Sequence, residues 1–437
     1  MKRIILVFLS LCIFFIPPSA RAQSSGNSAQ DSPTLRGLCT PGNGGISLPE
    51  GFCAEVVADN LGPLRQIVVR DNGDLYARLL SSQIGGSVLA LRDTDGDGRL
   101  DEEERFFDQG GTGIVIWQDY LYFSTPQAIY RQRLSPGRLR PVGEVETVVS
   151  GFPDQRQHAA KSFAISSRGE LFVNIGAPSN ACQRRERTEG SPGVDPCPQL
   201  RRHAGIWRFS AAKIGQSMAD GDHFASGIRN AVAIAWNPLA GHLYVVQHGR
   251  DQLRQLWPQL YSVEMGAQLP AEEFFQVDRG DNFGWPYCYY DQLQGKKVLA
   301  PEYGGDGRKI GRCGRFQKPI AAFPGHWAPN GLLFYTADQF PKHYRGGAFI
   351  AFHGSWNRAP LPQKGYKVVF VPFSGGAPSG AGKDFATGFA GEKTVRSPGE
   401  ARFRPMGLAQ GPDGSLYISD TKKGRIWRVR YVVEAKK

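Results

Sequence analysis

Apolar residues in this chain come in short runs that recur in pairs. A run of three or four hydrophobic positions leads into a turn rich in Gly, Asp or Asn. The chain then re-enters an alternating apolar stretch that opens on Leu-Tyr or a close equivalent. The pattern appears in Gln66-Ile67-Val68-Val69 with Asn72-Gly73-Asp74-Leu75-Tyr76, and in Ile114-Val115-Ile116 with Asp119-Tyr120-Leu121-Tyr122-Phe123. It returns in Phe163-Ala164-Ile165 with Arg168-Gly169-Glu170-Leu171-Phe172-Val173, and in Val232-Ala233-Ile234-Ala235 with Gly241-His242-Leu243-Tyr244-Val245. The last two are Leu332-Leu333-Phe334 with Gly346-Gly347-Ala348-Phe349-Ile350, and Met406-Gly407-Leu408 with Asp413-Gly414-Ser415-Leu416-Tyr417-Ile418. Each unit predicts a β-hairpin, and most are followed by a further strand such as 86–91, 205–209 or 424–431.

Hairpins that repeat at roughly 64-residue spacing cannot each bury two faces alone, but they can pack radially. The predicted fold is therefore all-β, a six-bladed β-propeller with loop insertions, chiefly over 180–203 and 251–290. Two unrelated β-sandwiches are the alternative architecture. Composition agrees: Gly and Pro together are about a fifth of the chain, as a turn-rich protein requires. Charged residues at 21% and apolar residues at 41% are globular values.

The N-terminus changes the picture of compartment. Lys2 and Arg3 precede an apolar run from Ile4 to Ile16, and Ala20-Arg21-Ala22 follows, which is the layout of a secretory signal cleaved before Gln23. The expected organisation is a signal peptide over 1–22, a disordered tail over 23–36 and the propeller over 37–437. Export predicts a periplasmic or secreted protein with no membrane span. Of seven cysteines, Cys12 leaves with the signal, and the other six fall into close pairs, 39/53, 182/197 and 288/313, that read as local disulfides. The net charge of +12 admits nucleic acid, an anionic surface or a small anionic ligand as partner. Export argues against nucleic acid, and there is no basic amphipathic helix to meet a surface.

Residues 93–104 read Asp-Thr-Asp-Gly-Asp-Gly-Arg-Leu-Asp-Glu-Glu-Glu. Asp93, Asp95, Asp97, the Arg99 carbonyl, Asp101 and Glu104 occupy the ligand positions of a twelve-residue calcium loop, with Gly98 at its sharp turn. Without a cation these carboxylates repel one another. A strand precedes the loop, so a structural clip is expected and not a sensor. Elsewhere, cations and a histidine stand immediately before the repeated strands: Gln157-His158-Ala159-Ala160-Lys161, Gly227-Ile228-Arg229-Asn230 and Arg402-Phe403-Arg404-Pro405. A propeller gathers equivalent loop ends around one axis, so these positions converge on a cavity suited to a multiply anionic ligand.

With Gly280-Asp281-Asn282-Phe283-Gly284-Trp285-Pro286, Ala328-Pro329-Asn330-Gly331 and His353-Gly354-Ser355-Trp356-Asn357-Arg358 added, the chain resembles the soluble quinoprotein glucose/sorbosone dehydrogenase family over about 48–431. The last motif and the Asp-rich loop are more similar to the sorbosone branch. The resemblance implies a six-bladed propeller using pyrroloquinoline quinone (PQQ) and calcium to oxidise a sugar or related alcohol or aldehyde. Electrons would pass to an external acceptor such as a cytochrome or quinone. It implies His158 as general base, and Arg229, Asn230, Arg402 and Arg404 as quinone contacts. It further implies Gly249 and Arg250 as carbonyl ligands of the cofactor's calcium, and Glu272 and Glu273 at a second calcium. Departures stand out. Gly176-Ala177-Pro178 occupies the place of an Asp that supports the histidine in the glucose enzymes, and Thr112 the place of a glutamine. The fifth blade lacks the family's lysine, leaving His353, Asn357 or Arg358 to substitute, and Lys161 is an added cation. A calcium-dependent lactonase-type hydrolase and a binding propeller without catalysis are the competing functions.

Overall fold

Each predicted hairpin is present in the computed structural model, which describes residues 39–432, and each belongs to a four-stranded antiparallel blade, to which blade 2 adds a short fifth strand, Gln216–Ser217, paired in parallel. Blade 1 runs through Leu64–Val69, Leu75–Gln83, Gly86–Arg92 and Glu102–Phe106, and blade 2 through Ile114–Trp117, Tyr120–Ser124, Ile129–Arg133 and Val142–Ser150. Blade 3 comprises Phe163–Ile165, Glu170–Ile175, Gly205–Ser210 and Asp222–Ser226, and blade 4 Ala233–Asn237, His242–Gln247, Glu272–Val277 and Ala321–Phe323. Blade 5 is Pro329–Phe334, Ala348–Phe352, Lys367–Val371 and Lys383–Ala386. Blade 6 takes Pro405–Gln410, Leu416–Asp420 and Ile426–Tyr431 from the C-terminal part of the chain, and its fourth strand is Phe52–Ala58. The first strands of the blades lie side by side in a closed ring.

That last pairing closes the propeller. Cys53 stands opposite Arg430 and Glu55 opposite Arg428, so the first of the described strands is zipped to the last. Phe52 packs edge-on against Phe340, Tyr344 and Phe385 with ring centroids 4.8, 5.2 and 5.1 Å away. Edge-to-face aromatic pairs add about 0.5–1.5 kcal/mol each beyond area burial.

The second strands depart from the alternation expected of them. Leu75 and Tyr76, Leu121 and Tyr122, Leu243 and Tyr244, and Phe349 and Ile350 are all buried. A blade is covered by a neighbour on both faces, so its second strand needs apolar side chains at successive positions. Seen from the sequence, Leu-Tyr marks this double burial and not a half-exposed strand.

The insertions fall at 176–204, inside blade 3, and at 248–271 and 278–320, inside blade 4. The last carries a two-stranded hairpin, Cys288–Asp291 with Lys296–Leu299. All three expected disulfides form, Cys39–Cys53, Cys182–Cys197 and Cys288–Cys313; the first ties the start of the described chain to the closing strand and the other two staple the insertions. The signal peptide and tail expected over 1–36 lie outside the described residues. Among those described, no helix is long and apolar enough to cross a membrane.

Candidate active site

The central channel has two unlike ends. Where the first strands finish, Val69, Trp117, Ile165, Trp236 and Leu333 line an apolar cavity of about 460 Å³. At their beginnings, polar and charged side chains converge instead, as the repeat register predicts. The connections that enter each first strand and leave each second strand lie there, the insertions 176–204 and 248–271 among them, so every blade can place a side chain or a carbonyl at one mouth.

His158 sits at φ +51°, in the left-handed region. Its Nδ1 is 2.6 Å from the Ala177 carbonyl, which can only accept, so Nδ1 carries the proton and Nε2 is left with a lone pair. A backbone carbonyl thus does the orienting for which the glucose enzymes use an aspartate. Gly176 permits this, because a Cβ there would meet His158 Cβ at 2.6 Å. Burial, and then the nearby Arg229, push the imidazole down to about 3.

Arg229, only 2% exposed, spends four of its five guanidinium N–H groups on the surrounding protein. It donates to the Asn180 carbonyl at 3.2 Å, Asn180 Oδ1 at 3.1 Å, the Gly249 carbonyl at 3.0 Å and Asp251 Oδ2 at 2.9 Å. Arg187 donates to the same Asp251 oxygen at 2.8 Å, and Asn357 Nδ2 to the other at 2.5 Å. Burial alone would raise the Asp251 carboxyl, yet Arg229 and Arg187 hold it well below the usual carboxylate range. Asn230 accepts from Asn174 at 3.1 Å, and its carbonyl accepts from the His248 backbone at 2.9 Å. The His248 imidazole is pushed down to about 4, chiefly by burial.

A second group of cations lies on the blade 6 and blade 1 side. Arg404 donates to the His353 carbonyl at 3.1 Å and the Gly354 carbonyl at 2.6 Å. Arg65 donates to Thr112 Oγ1 at 3.2 Å. Burial, and then the like charge of Arg404, lower the Arg65 guanidinium to about 10. The side-chain hydrogen bonds of this pair run to a hydroxyl and to carbonyls; Asp420, which accepts from the Arg404 backbone N–H at 2.5 Å, is the carboxylate near Arg404 and offsets only part of the pair's positive charge. His353, 8% exposed, meets Thr421 Oγ1 at 3.2 Å and is held well below its ordinary pKa by burial and then by Arg404 and Arg65. Lys161 is buried beside the His158 turn, donates to the Ala159 carbonyl at 2.8 Å and is lowered to about 8 by burial.

Other expected site residues are occupied elsewhere. Arg402 is exposed, with its guanidinium 5.0 Å from the Phe403 ring centroid, and does not join Arg404. Arg358 is buried, donating to the Pro362 carbonyl at 3.1 Å and to the Ala267 carbonyl. Arg250 reaches Glu302 at 2.5 Å. Glu272 accepts from the Gly249 and Ala328 backbone at 2.8 and 3.0 Å, and burial raises it to about 7. Glu273 pairs with Lys297 at 2.6 Å and accepts from Gln247 at 2.5 Å. In the Asp-rich loop, ligand atoms of Asp93, Asp95 and Asp97 lie within 4.8 Å of one another. Asp101 is turned to Thr94, and Glu104 stands in a strand opposite Ala90.

Sequence reasoning passed over Arg65, Arg187, Asn180 and Asp251. Arg65 had a signal: it opens the first unit much as Arg404 precedes the sixth. Asp251 directly follows the Gly249-Arg250 pair already singled out. Arg187 and Asn180 come from the blade 3 insertion, which has no repeat register to read.

Comparison with known proteins agrees with this architecture. Residues 46–432 match the TrAA12-like family. The chain belongs to that family. A Hypocrea jecorina pyrroloquinoline quinone-dependent sugar dehydrogenase is 23% identical over 431 residues, 89% of this chain and 91% of the relative. A Coprinopsis cinerea pyrroloquinoline quinone-dependent pyranose dehydrogenase is 26% identical over 277 residues, 55% of this chain and 37% of the relative. The calcium structure of the Trichoderma reesei family AA12 enzyme superposes with a TM-score of 0.71 at 21% identity, covering 89% of this chain and 97% of that one. That last likeness is one of fold.

Proposed function

We propose that this protein is an exported PQQ- and calcium-dependent dehydrogenase that oxidises a sugar or a related alcohol or aldehyde. The observation that carries this reading is the pairing of an oriented, unprotonated His158 Nε2 with the guanidiniums of buried Arg65 and half-buried Arg404, neither of which hydrogen-bonds to a carboxylate. Those groups fit a polycarboxylate. Arg65, Arg404, Arg229, Asn230, Lys161 and His353 would hold the quinone, and the Gly249 and Arg250 carbonyls its calcium. When bound, the quinone supplies the two-electron acceptor and calcium polarises its carbonyl.

The chain's own part is to bind, orient and move one proton. His158 Nε2 accepts the proton of the substrate hydroxyl, while the Ala177 carbonyl keeps the ring in the tautomer that can do so. Asp251 holds Arg229 rigid through a shared ion pair with Arg187. Trp356, 50% exposed and next in sequence to Asn357, offers an aromatic face for a sugar ring. The likeness of the 353–358 motif to the sorbosone branch puts aldehydes among the substrates to try, and the acceptor of the electrons is an external cytochrome or quinone.

The test titrates chelator-treated protein with PQQ and Ca²⁺, then follows dye reduction over a panel of aldoses, polyols and aldehydes. Saturable cofactor binding with turnover is expected. Absence of saturable quinone binding overturns the proposal, and binding without turnover leaves the protein a ligand-binding propeller.

A further inference from the structure

His158 stands in a left-handed turn at φ +51°, a backbone that a residue with a Cβ keeps only where its surroundings hold it. Its Nδ1 meets the Ala177 carbonyl at 2.6 Å. That contact orients the ring only if the turn carrying the histidine and the strand end carrying Ala177 keep their relative places. Among the described residues, no backbone hydrogen bond joins 155–160 to 176–178. A side chain has to do it.

Gln155 makes the join. Its Nε2 donates to the Gln157 carbonyl at 2.8 Å, the His158 carbonyl at 3.2 Å and the Gly176 carbonyl at 3.0 Å. An amide nitrogen has two N–H groups, and here they are shared by two carbonyls of the turn and one from the residue next to Ala177. The same contacts fix the amide's orientation, because the opposite one would set lone pairs against three carbonyls. Its Oε1 is buried with no hydrogen-bond partner. An amide that leaves a buried acceptor unfilled is held in place by what its donors do. Gly176 lets the two backbones touch, since a Cβ there would stand 2.8 Å from the His158 carbonyl oxygen. Ala177 is fixed in turn, its N–H donating to the Arg229 carbonyl at 2.7 Å. The Gln157 side chain does a different job: it donates to Glu186 at 3.1 Å and accepts from Arg187 at 3.2 Å, which ties the turn to the blade 3 insertion and not to Ala177.

We infer that Gln155 is the positioning residue of His158: its amide holds the ring against the Ala177 carbonyl, which keeps the proton on Nδ1 and leaves Nε2 to accept one. Gln155 acts through the histidine and not on the substrate. A reacting group misplaced by about 1 Å can lose on the order of a hundredfold in rate. Gln155 matters to turnover only if His158 is the base proposed above, whereas its hold on the ring exists without quinone or substrate.

Gln155→Met keeps the length of the side chain and removes its donors. Gln155→Glu keeps size and polarity, replaces donors by acceptors, and serves where the first variant does not fold. Gln132→Met is the control, because Gln132 of blade 2 is also a buried amide, donating to the Gly143 carbonyl at 2.7 Å with its Oε1 unpartnered. In quinone-free, full-length protein with ¹⁵N-labelled histidine, long-range ¹H–¹⁵N correlation at neutral pH reports each imidazole's tautomer. His158→Ala identifies the signals of His158 among the eight histidines. Wild type and Gln132→Met show the Nδ1–H form, and the Gln155 variants show both tautomers in exchange. In quinone-loaded enzyme the Gln155 variants lose about ten- to a hundredfold in kcat, with KM and quinone affinity as in wild type, and Gln132→Met loses none. A His158 that keeps the Nδ1–H form in the Gln155 variants overturns the inference, as does a Gln132→Met enzyme whose kcat falls as far. Loss of that form with undiminished kcat refutes His158 as base and leaves the hold of Gln155 on the ring intact.

Discussion

Replacing Asp251 by asparagine removes one negative charge from the centre of the mouth while keeping the side chain's shape. In the wild type this carboxylate takes Arg229 at 2.9 Å, Arg187 at 2.8 Å and Asn357 at 2.5 Å. Removing one partner of a buried pair costs about 3–5 kcal/mol, because the other charge stays buried and uncompensated. Asn keeps one acceptor oxygen and the Asp251 side chain is 17% exposed, so the expected loss is about 2–4 kcal/mol at pH 7. Denaturant unfolding of the quinone-free protein measures it. The sign with pH is fixed by linkage. Asp251 is depressed in the folded state from an ordinary 3.8, so its contribution is complete above that value and fades as pH falls below it. The gap between wild type and variant therefore narrows on acidification. Quinone affinity should hold or tighten, since the mouth becomes more positive. A loss under about 0.5 kcal/mol at pH 7, the ordinary scatter of surface changes, or a gap that does not shrink in acid, refutes the account of Asp251 as the charge that locks Arg229.

His158→Ala should lower turnover at least about a hundredfold with quinone affinity nearly unchanged; undiminished turnover removes His158 from the role of base. Arg65→Ala and Arg404→Ala should each weaken quinone binding by about tenfold or more, as expected when a charged hydrogen bond is lost, and unaltered affinity in an equilibrium titration excludes that residue from the cofactor site. Stability should fall between about pH 7 and pH 4, because His158 and His248 are lowered from 6.5 to about 3 and about 4; the unfolded chain takes up protons there that the folded chain refuses. A Tm that stays flat across this range contradicts the burial of neutral imidazoles.

Positions that the repeat puts in register are brought together by the fold. His158, Arg229, Asn230 and Arg404 each stand just before a first strand, and each is at the mouth. The repeat pattern misplaced Arg402, two positions from Arg404, because a 3₁₀ turn at Pro398–Glu400 and a loop lead into that strand, and no two-residue alternation holds outside a strand. Glu272 and Glu273 read as an acidic pair awaiting a metal. In the fold one satisfies two backbone N–H groups and the other a lysine from the blade 4 insertion, and a sequence cannot show that their partners have already been found.

What the sequence by itself determined is local: six hairpins from runs a few residues long, three disulfides between cysteines 14, 15 and 25 positions apart, and an Asp-rich turn around a glycine. Each depends on neighbours along the chain, so pattern and spacing suffice. What only the tertiary structure decided is which distant groups share a space. Ring closure sets Arg65 beside Arg404, turns an insertion so that Asn180 and Arg187 clasp Asp251, and brings Glu55 of the first described strand over Gly98. These meetings follow from blade packing and loop paths, which sum contributions from the whole chain, and no short window of residues carries them.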